Sequence, residues 1–127
     1  QPEAGHELLV FHANPRDVES QMRRDTPEDD LRPLLIGVNA EVLAFGHIHT
    51  PYIRRVEPHT LFDIASVGVP RDGDRRSAYG IAEWKGGQWH LEHVRVPYDV
   101  EAVVTDIQNR NMPNGEQAIQ TLRSARY

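Results

Sequence analysis

A chain of 127 residues with a 39% hydrophobic fraction has room for one modest core, since a domain of this size buries about two thirds of the surface its unfolded form exposes. It contains no cysteine, which removes disulfide frameworks, thiolate metal sites and cysteine nucleophiles together and favours a cytoplasmic protein. A net charge of −5 speaks against a broad phosphate-tracking surface for nucleic acid, and no run approaches the roughly 18 apolar residues of a membrane span.

The opening "QPEAGHELLV" is acidic and polar and does not resemble a signal peptide. Gln1 stands where an initiator Met would, so further residues are expected upstream. Residues 6–12, "HELLVFH", form a short apolar run between polar neighbours and read as a strand, after which "ANPRD" has loop chemistry. "DTPEDDLRPLLIGV" predicts a helix start with Thr26 as N-cap, Pro27 at the first helical position and three acids near the positive end of the dipole. Pro33 is expected to limit or kink that helix.

"AEVLAF" then reads as a continuous apolar strand covered on both faces. Strand, helix and strand in that order predict a parallel, buried sheet. Beyond it, "YIRRVE", "TLFDIAS", "SAYGIAEW" and "QWHLEHVRV" are short, partly alternating runs divided by turn residues, and predict antiparallel hairpins. The tail predicts two helices separated by Met112, Pro113, Asn114 and Gly115, with Val100, Val103, Val104 and Ile107 facing the sheet.

Seven histidines are unusual in so short a chain, and the segment "VLAFGHIHTPYIRRV" holds two of them. In an extended segment residues i and i+2 share a face, so His47 and His49 are expected to point together, and Gly46 before them allows close approach to the backbone. The carboxyl end of a buried strand is where open α/β sheets bind ligands, and imidazole suits zinc, iron, nickel and manganese. His12 also ends an apolar strand. If the strands of Val10 and Phe45 are parallel neighbours, three imidazoles meet at one sheet edge.

Three imidazoles lack the anionic bridge that a two-metal centre needs, and Asp17 and Asp63 are nearby in sequence. His59 falls in a predicted turn and is expected to be exposed. His90 and His93 read as surface or packing residues, and His6 lies near the start. In "VPRDGD", Arg71 or Asp72 can stand at the site mouth, although Asp-Gly is ordinary turn chemistry. Asn14 can contact substrate or begin the Asn-Pro turn, and the turn is favoured.

"LLVFHANPRD", "VLAFGHIHTPYIRRV", "SVGVPRDGD" and "VRVPYDVEAVV", in this order, resemble the second half of bacterial calcineurin-like metallophosphoesterases, in the small phosphodiesterase branch. The resemblance runs from about Leu8 to Met112. It implies an α/β fold that is part of a four-layer αββα sandwich, with a mixed sheet, antiparallel hairpins and C-terminal helices. Residues 1–127 would then be the C-terminal portion of a single domain. It also implies a dinuclear site of two divalent ions (Mn, Fe, Zn, Ni or Mg), with His12 and His47 on one ion and His49 on the other.

The reaction so implied is hydrolysis of a phosphodiester or phosphomonoester. The motifs that carry the bridging aspartate and the leaving-group histidine belong to the first half of the family's domain, so this portion alone is expected to bind metal weakly and to turn over negligibly. This chain departs from the pattern in having His12-Ala13 where relatives have His-Gly, and Asp63-Ile64-Ala65-Ser66 where they have Asn-Pro-Gly-Ser; Ser66, Val67 and Gly68 keep it. Expected partners are the phosphoester and the other half of the domain, with no membrane and no nucleic acid. The same fold also serves as a non-catalytic protein-binding scaffold, and a histidine-rich metal-binding module without hydrolysis is a third reading.

Overall fold

The structure is a computed structural model that describes residue 2 and residues 4–126. In chain order its elements are β1 (Leu8–Val10), α1 (Glu28–Leu35), β2 (Val42–Phe45), β3 (Tyr52–Val56), β4 (His59–Asp63), β5 (Ser77–Lys85), β6 (Gln88–Val96), α2 (Val100–Asn109) and α3 (Gly115–Ser124). β1, β2 and β4 run parallel, and β3 closes the sheet antiparallel to β4, in the spatial order β1-β2-β4-β3. β5 and β6 form a separate antiparallel pair. No helix among the described residues is long and apolar enough to cross a membrane.

The four residues of β2 are all buried, as its uninterrupted apolar run predicts. Alternation sends Leu43 and Phe45 to one face, where they pack with Leu31 and Leu35 of α1, Met22, Leu61 and Tyr52. Val42 and Ala44 face the other way and join Phe62, Ala82, Trp89 and Leu91, so the β5–β6 hairpin covers the second face. This helix, sheet, sheet layering leaves the carboxyl ends of β1, β2 and β4 at one edge.

Gly80 sets how closely the hairpin lies on that sheet. A Cβ there would stand 2.6 Å from Phe62 Cζ and 2.7 Å from Ile64 Cγ2, and Phe62 is 1% exposed and has no room to yield. Gly80→Ala is expected to lower the unfolding free energy by about 1–3 kcal/mol through overpacking. Urea denaturation checks this, and an unchanged midpoint would contradict it.

Sequence expectations are corrected at Thr26 and His59, while Pro33 limits its helix as expected. Pro27, not Thr26, occupies the cap position of α1; the Thr26 hydroxyl instead accepts the Arg23 N–H at 2.9 Å, closing a turn before the helix. Pro33 lies inside α1, and the helix ends two residues later. His59 is 4% exposed rather than solvated: it opens β4, and its Nδ1–H donates to the Ala40 carbonyl at 2.7 Å, so an imidazole fills a buried position by satisfying a backbone acceptor.

The helix of Val100 to Ile107 does not bury its stripe against the sheet. Val100 and Val104 cluster with Leu122 of α3 and with Tyr98, Ile107 and Ile119, which makes α2 and α3 a helical hairpin. Asp99 caps α2 by accepting the Ala102 N–H, and Arg123 pairs with Glu101 across the two helices at 2.6 Å. Apolar spacing fixes that a face is buried and leaves open what covers it.

Candidate metal centre

The parallel register of β1 and β2 continues past the last residue of β1. Phe11 N–H donates to the Ala44 carbonyl, and Gly46 N–H donates to the His12 carbonyl at 3.0 Å. His12 and the segment after β2 therefore leave the sheet side by side. His12 Nε2 lies 3.0 Å from His47 Nδ1, with the rings edge to face.

Strand alternation, expected to point His47 and His49 together, does not operate here. The chain is not extended beyond Phe45: His47 has φ 70° and His49 φ 61°, both left-handed, while Ile48 between them is 3% exposed and anchored in the core. Ile48 N–H donates to the Gly46 carbonyl at 2.9 Å, so His47 is the centre of a γ-turn at positive φ. That turn is rare and strained, of order 1–3 kcal/mol for a residue with a Cβ. Such strain persists only where the surroundings impose it, and it collects at functional sites.

Backbone acceptors fix the tautomers. A carbonyl only accepts, so His47 Nε2, 2.9 Å from the Glu19 carbonyl, carries the proton, and Nδ1 presents a bare lone pair towards His12. His49 Nδ1 lies 2.7 Å from the Val69 carbonyl and is likewise the N–H, which leaves Nε2 as a lone pair. Burial is the main cause that holds the His49 pKa below its ordinary value, with the nearby Arg71 charge acting in the same direction. An imidazole oriented by a carbonyl through one nitrogen, with the other bare, is the usual arrangement of a histidine ligand.

With His47 Nδ1 bare, the contact is a hydrogen bond donated by His12 Nε2–H, and a divalent ion held by the pair would take the place of that proton. Two nitrogens at about 2.1 Å from one ion in neighbouring positions of an octahedral set are themselves about 3.0 Å apart, close to the separation of His12 and His47. Among the described residues no group of three or more histidines, aspartates or glutamates is assembled around one point.

Asp17 and Asp63 are placed elsewhere. Asp17 Oδ1 accepts the N–H groups of Glu19 and Ser20, which hold its pKa down to about 2 and make it a loop staple. Asp63 is fully buried at the end of β4, in register with Phe45. Its Oδ1 accepts the Ala65 N–H at 2.8 Å, Oδ2 has no hydrogen-bond partner among the described residues, and burial pushes its pKa up to about 7.

The remaining sequence candidates sort by their contacts. Asn14 is buried and spends its amide on its own loop: Oδ1 accepts from Arg16 and Asp17, and Nδ2 donates to the Ser20 carbonyl at 2.9 Å. Ser66 Oγ accepts the Val69 N–H at 3.0 Å, and Arg71 N–H donates to the His49 carbonyl at 3.0 Å, so both brace His49. Gly46 passes close under the Ala65 carbonyl. Asp72 is engaged by Arg95 in an ion pair and belongs to that pairing. His93, read as a packing residue, donates to the Asp63 carbonyl at 2.6 Å and packs against Phe62. The carbonyls of Glu19 and Val69 carry no signal in the sequence, being backbone atoms.

This mixed α/β layering, with histidines at the carboxyl ends of two parallel strands and a helical hairpin at the end of the chain, is the fold of part of a metallophosphoesterase sandwich. A metallophosphoesterase from Sphaerobacter thermophilus superposes with a TM-score of 0.77 at 18% identity, covering 94% of this chain and 56% of its own. A hypothetical protein from Pyrococcus horikoshii OT3 gives a TM-score of 0.77 at 15% identity, covering 96% of this chain and 48% of its own. An uncharacterised protein of Methanocaldococcus jannaschii is 25% identical over 126 residues, which cover 86% of this chain and 49% of that protein. The chain thus spans about half the length of the proteins it matches. No family model matches it.

Proposed function

We propose that residues 1–127 are the C-terminal, histidine-bearing portion of a metallophosphoesterase domain that hydrolyses a phosphodiester or phosphomonoester at a dinuclear centre. The observation that carries this reading is the His12–His47 nitrogen pair, 3.0 Å apart, with the His47 lone pair fixed towards His12 by the Glu19 carbonyl. His12 and His47 hold one divalent ion and His49 Nε2 the other, with Mn, Fe, Zn, Ni and Mg all compatible with imidazole and oxygen donors. When bound, two such ions supply Lewis-acid charge to a phosphoryl group. The chain's own part is to present three imidazoles, those of His47 and His49 oriented by backbone carbonyls, with Arg71 beside His49 contributing positive charge for an anionic ester.

The bridging carboxylate and the leaving-group acid come from the other half of the domain. Surface left uncovered here supports that: Val10, on the edge strand β1, is 65% exposed, and Tyr79, Ile81 and Val96 of the hairpin are each more than 40% exposed. Alone, this portion binds metal weakly and turns over negligibly. The absence of cysteine supports a cytoplasmic setting.

Asn14 is the positioning residue of this scheme, because the loop it ties together delivers the Glu19 carbonyl to His47. Asn14→Ala in the full-length protein is expected to weaken metal binding by about 10- to 100-fold, measured by metal titration. Unaltered affinity would remove Asn14 from the account. For the function itself, the test is hydrolysis of bis-p-nitrophenyl phosphate by the full-length protein. Turnover lost on chelation and restored by a divalent ion supports the reading; no turnover with any ion would leave a protein-binding scaffold of the same fold.

A further inference from the structure

We propose that Arg95, on β6, is a positioning residue for the metal centre, acting on His49 through Asp72 and the backbone of the 69–71 loop. The inference rests on the phosphoesterase reading and names what holds one of its metal ligands in place.

His49 leans on that loop twice. Its Nδ1–H donates to the Val69 carbonyl at 2.7 Å, and its own carbonyl accepts the Arg71 N–H at 3.0 Å. Between β4 and β5 the chain forms no helix or strand, so the loop stands where its anchors put it. The residue after Arg71 is Asp72, and Arg95 holds it in an ion pair. The same guanidinium donates from Nη1 to the Arg76 carbonyl at 3.2 Å and to the Asp74 carbonyl at 3.5 Å, with Nε 3.8 Å from Asp74 Oδ2. One side chain thus gathers residues 72, 74 and 76. Gly73 has its own tie, from its N–H to the Ala125 carbonyl at 2.8 Å, so the turn keeps an anchor when Arg95 is changed.

Burial gives this pair its leverage. The side chains of Arg95 and Asp72 are 14% and 21% exposed, whereas Arg32, Arg55, Arg76, Arg110 and Arg123, in the other arginine pairs described, are 48% exposed or more. Breaking a pair withdrawn from water from one side strands the charge left behind. Without Arg95, Asp72 turns out to water and draws Arg71, its neighbour in the chain, away from the His49 carbonyl. Asp72→Asn strands no carboxylate and leaves Arg95 its backbone acceptors, so its effect is in the same direction and smaller.

The test uses the full-length protein and two readouts. In the metal-free form, hydrogen exchange of the Arg71 amide is expected to be about tenfold faster in Arg95→Met, while the Gly46 amide, bonded to the His12 carbonyl, serves as an unchanged internal reference. In Mn²⁺ titrations followed by electron paramagnetic resonance, Arg95→Met is expected to weaken one ion by about 10- to 100-fold, the ion that His49→Ala removes, and to leave the other at its wild-type affinity. Adding Asp72→Asn to Arg95→Met is expected to bring both readouts most of the way back, because no charge is then stranded. Unchanged Arg71 exchange, two ions weakened alike, two ions unaffected, or losses that Asp72→Asn does not relieve would overturn the inference. A wild-type protein that binds no Mn²⁺ would defeat the phosphoesterase reading instead, and the exchange result would still decide whether Arg95 holds the His49 loop.

Discussion

His47→Ala in the full-length protein is expected to lower turnover of an activated aryl phosphodiester by about a thousandfold. A metal ion contributes several kcal/mol to stabilising charge at phosphorus, and each 1.36 kcal/mol is a factor of ten in rate. The substitution removes the lone pair that faces His12 and leaves His12 Nε2 as this chain's single nitrogen for that ion. Bound metal should fall in parallel. His90→Ala is the matched control: that ring is exposed on the β6 strand and hydrogen-bonds to Gln88 and the Lys85 carbonyl. Equal turnover in the His47 variant and the wild type would defeat the proposed function, whatever the control does.

Asp63→Asn is expected to make the protein more stable at pH 8 and to leave it little changed at pH 4. The ordinary pKa of this carboxyl is 3.8, and in the folded chain burial raises it to about 7. Between those values the unfolded chain has released the proton while the folded chain retains it, so stability falls as pH rises through that window. Below pH 4 both states are protonated and the difference vanishes. Above pH 7 the whole difference, roughly 4 kcal/mol at most, acts against folding.

Asparagine removes the charge and keeps an oxygen for the Ala65 N–H, though its new N–H groups need acceptors where Oδ2 has no hydrogen-bond partner among the described residues. A gain of about 2 kcal/mol at pH 8 is therefore the expected size, from urea denaturation at both pH values. A variant less stable at pH 8, or one offset equally at both values, would show that Asp63 is not a buried charge. The position is also one where this chain departs from the Asn-Pro-Gly-Ser of the family it resembles.

Much of the scaffold was legible because burial writes itself into residue type. The unbroken apolar run of Val42–Phe45 predicted a strand covered on both faces, and the spaced turn residues predicted both hairpins. The meeting of His12 with His47 followed from two parallel strands ending at one edge, and the structure brings that pair together.

The geometry after Phe45 was not legible. Nothing in "GHIHTP" announces left-handed backbone at two histidines, since residue type signals positive φ mainly through glycine or asparagine. Ile48 is the reason the chain turns there, because its side chain must reach the core while its neighbours stay at the surface. His59 and His93 were misjudged or underread for a related cause: a histidine that satisfies a buried carbonyl looks in sequence like any turn or surface histidine. The partner of α2 was missed because an amphipathic stripe does not name what covers it.

The central claim is that this chain supplies the histidines of a two-metal centre, and elemental analysis of the full-length protein tests it most directly. Two divalent ions per chain are expected in the wild type, and fewer than two in each of His12→Ala, His47→Ala and His49→Ala. One ion or none in the wild type, or two ions retained in all three variants, would contradict the account.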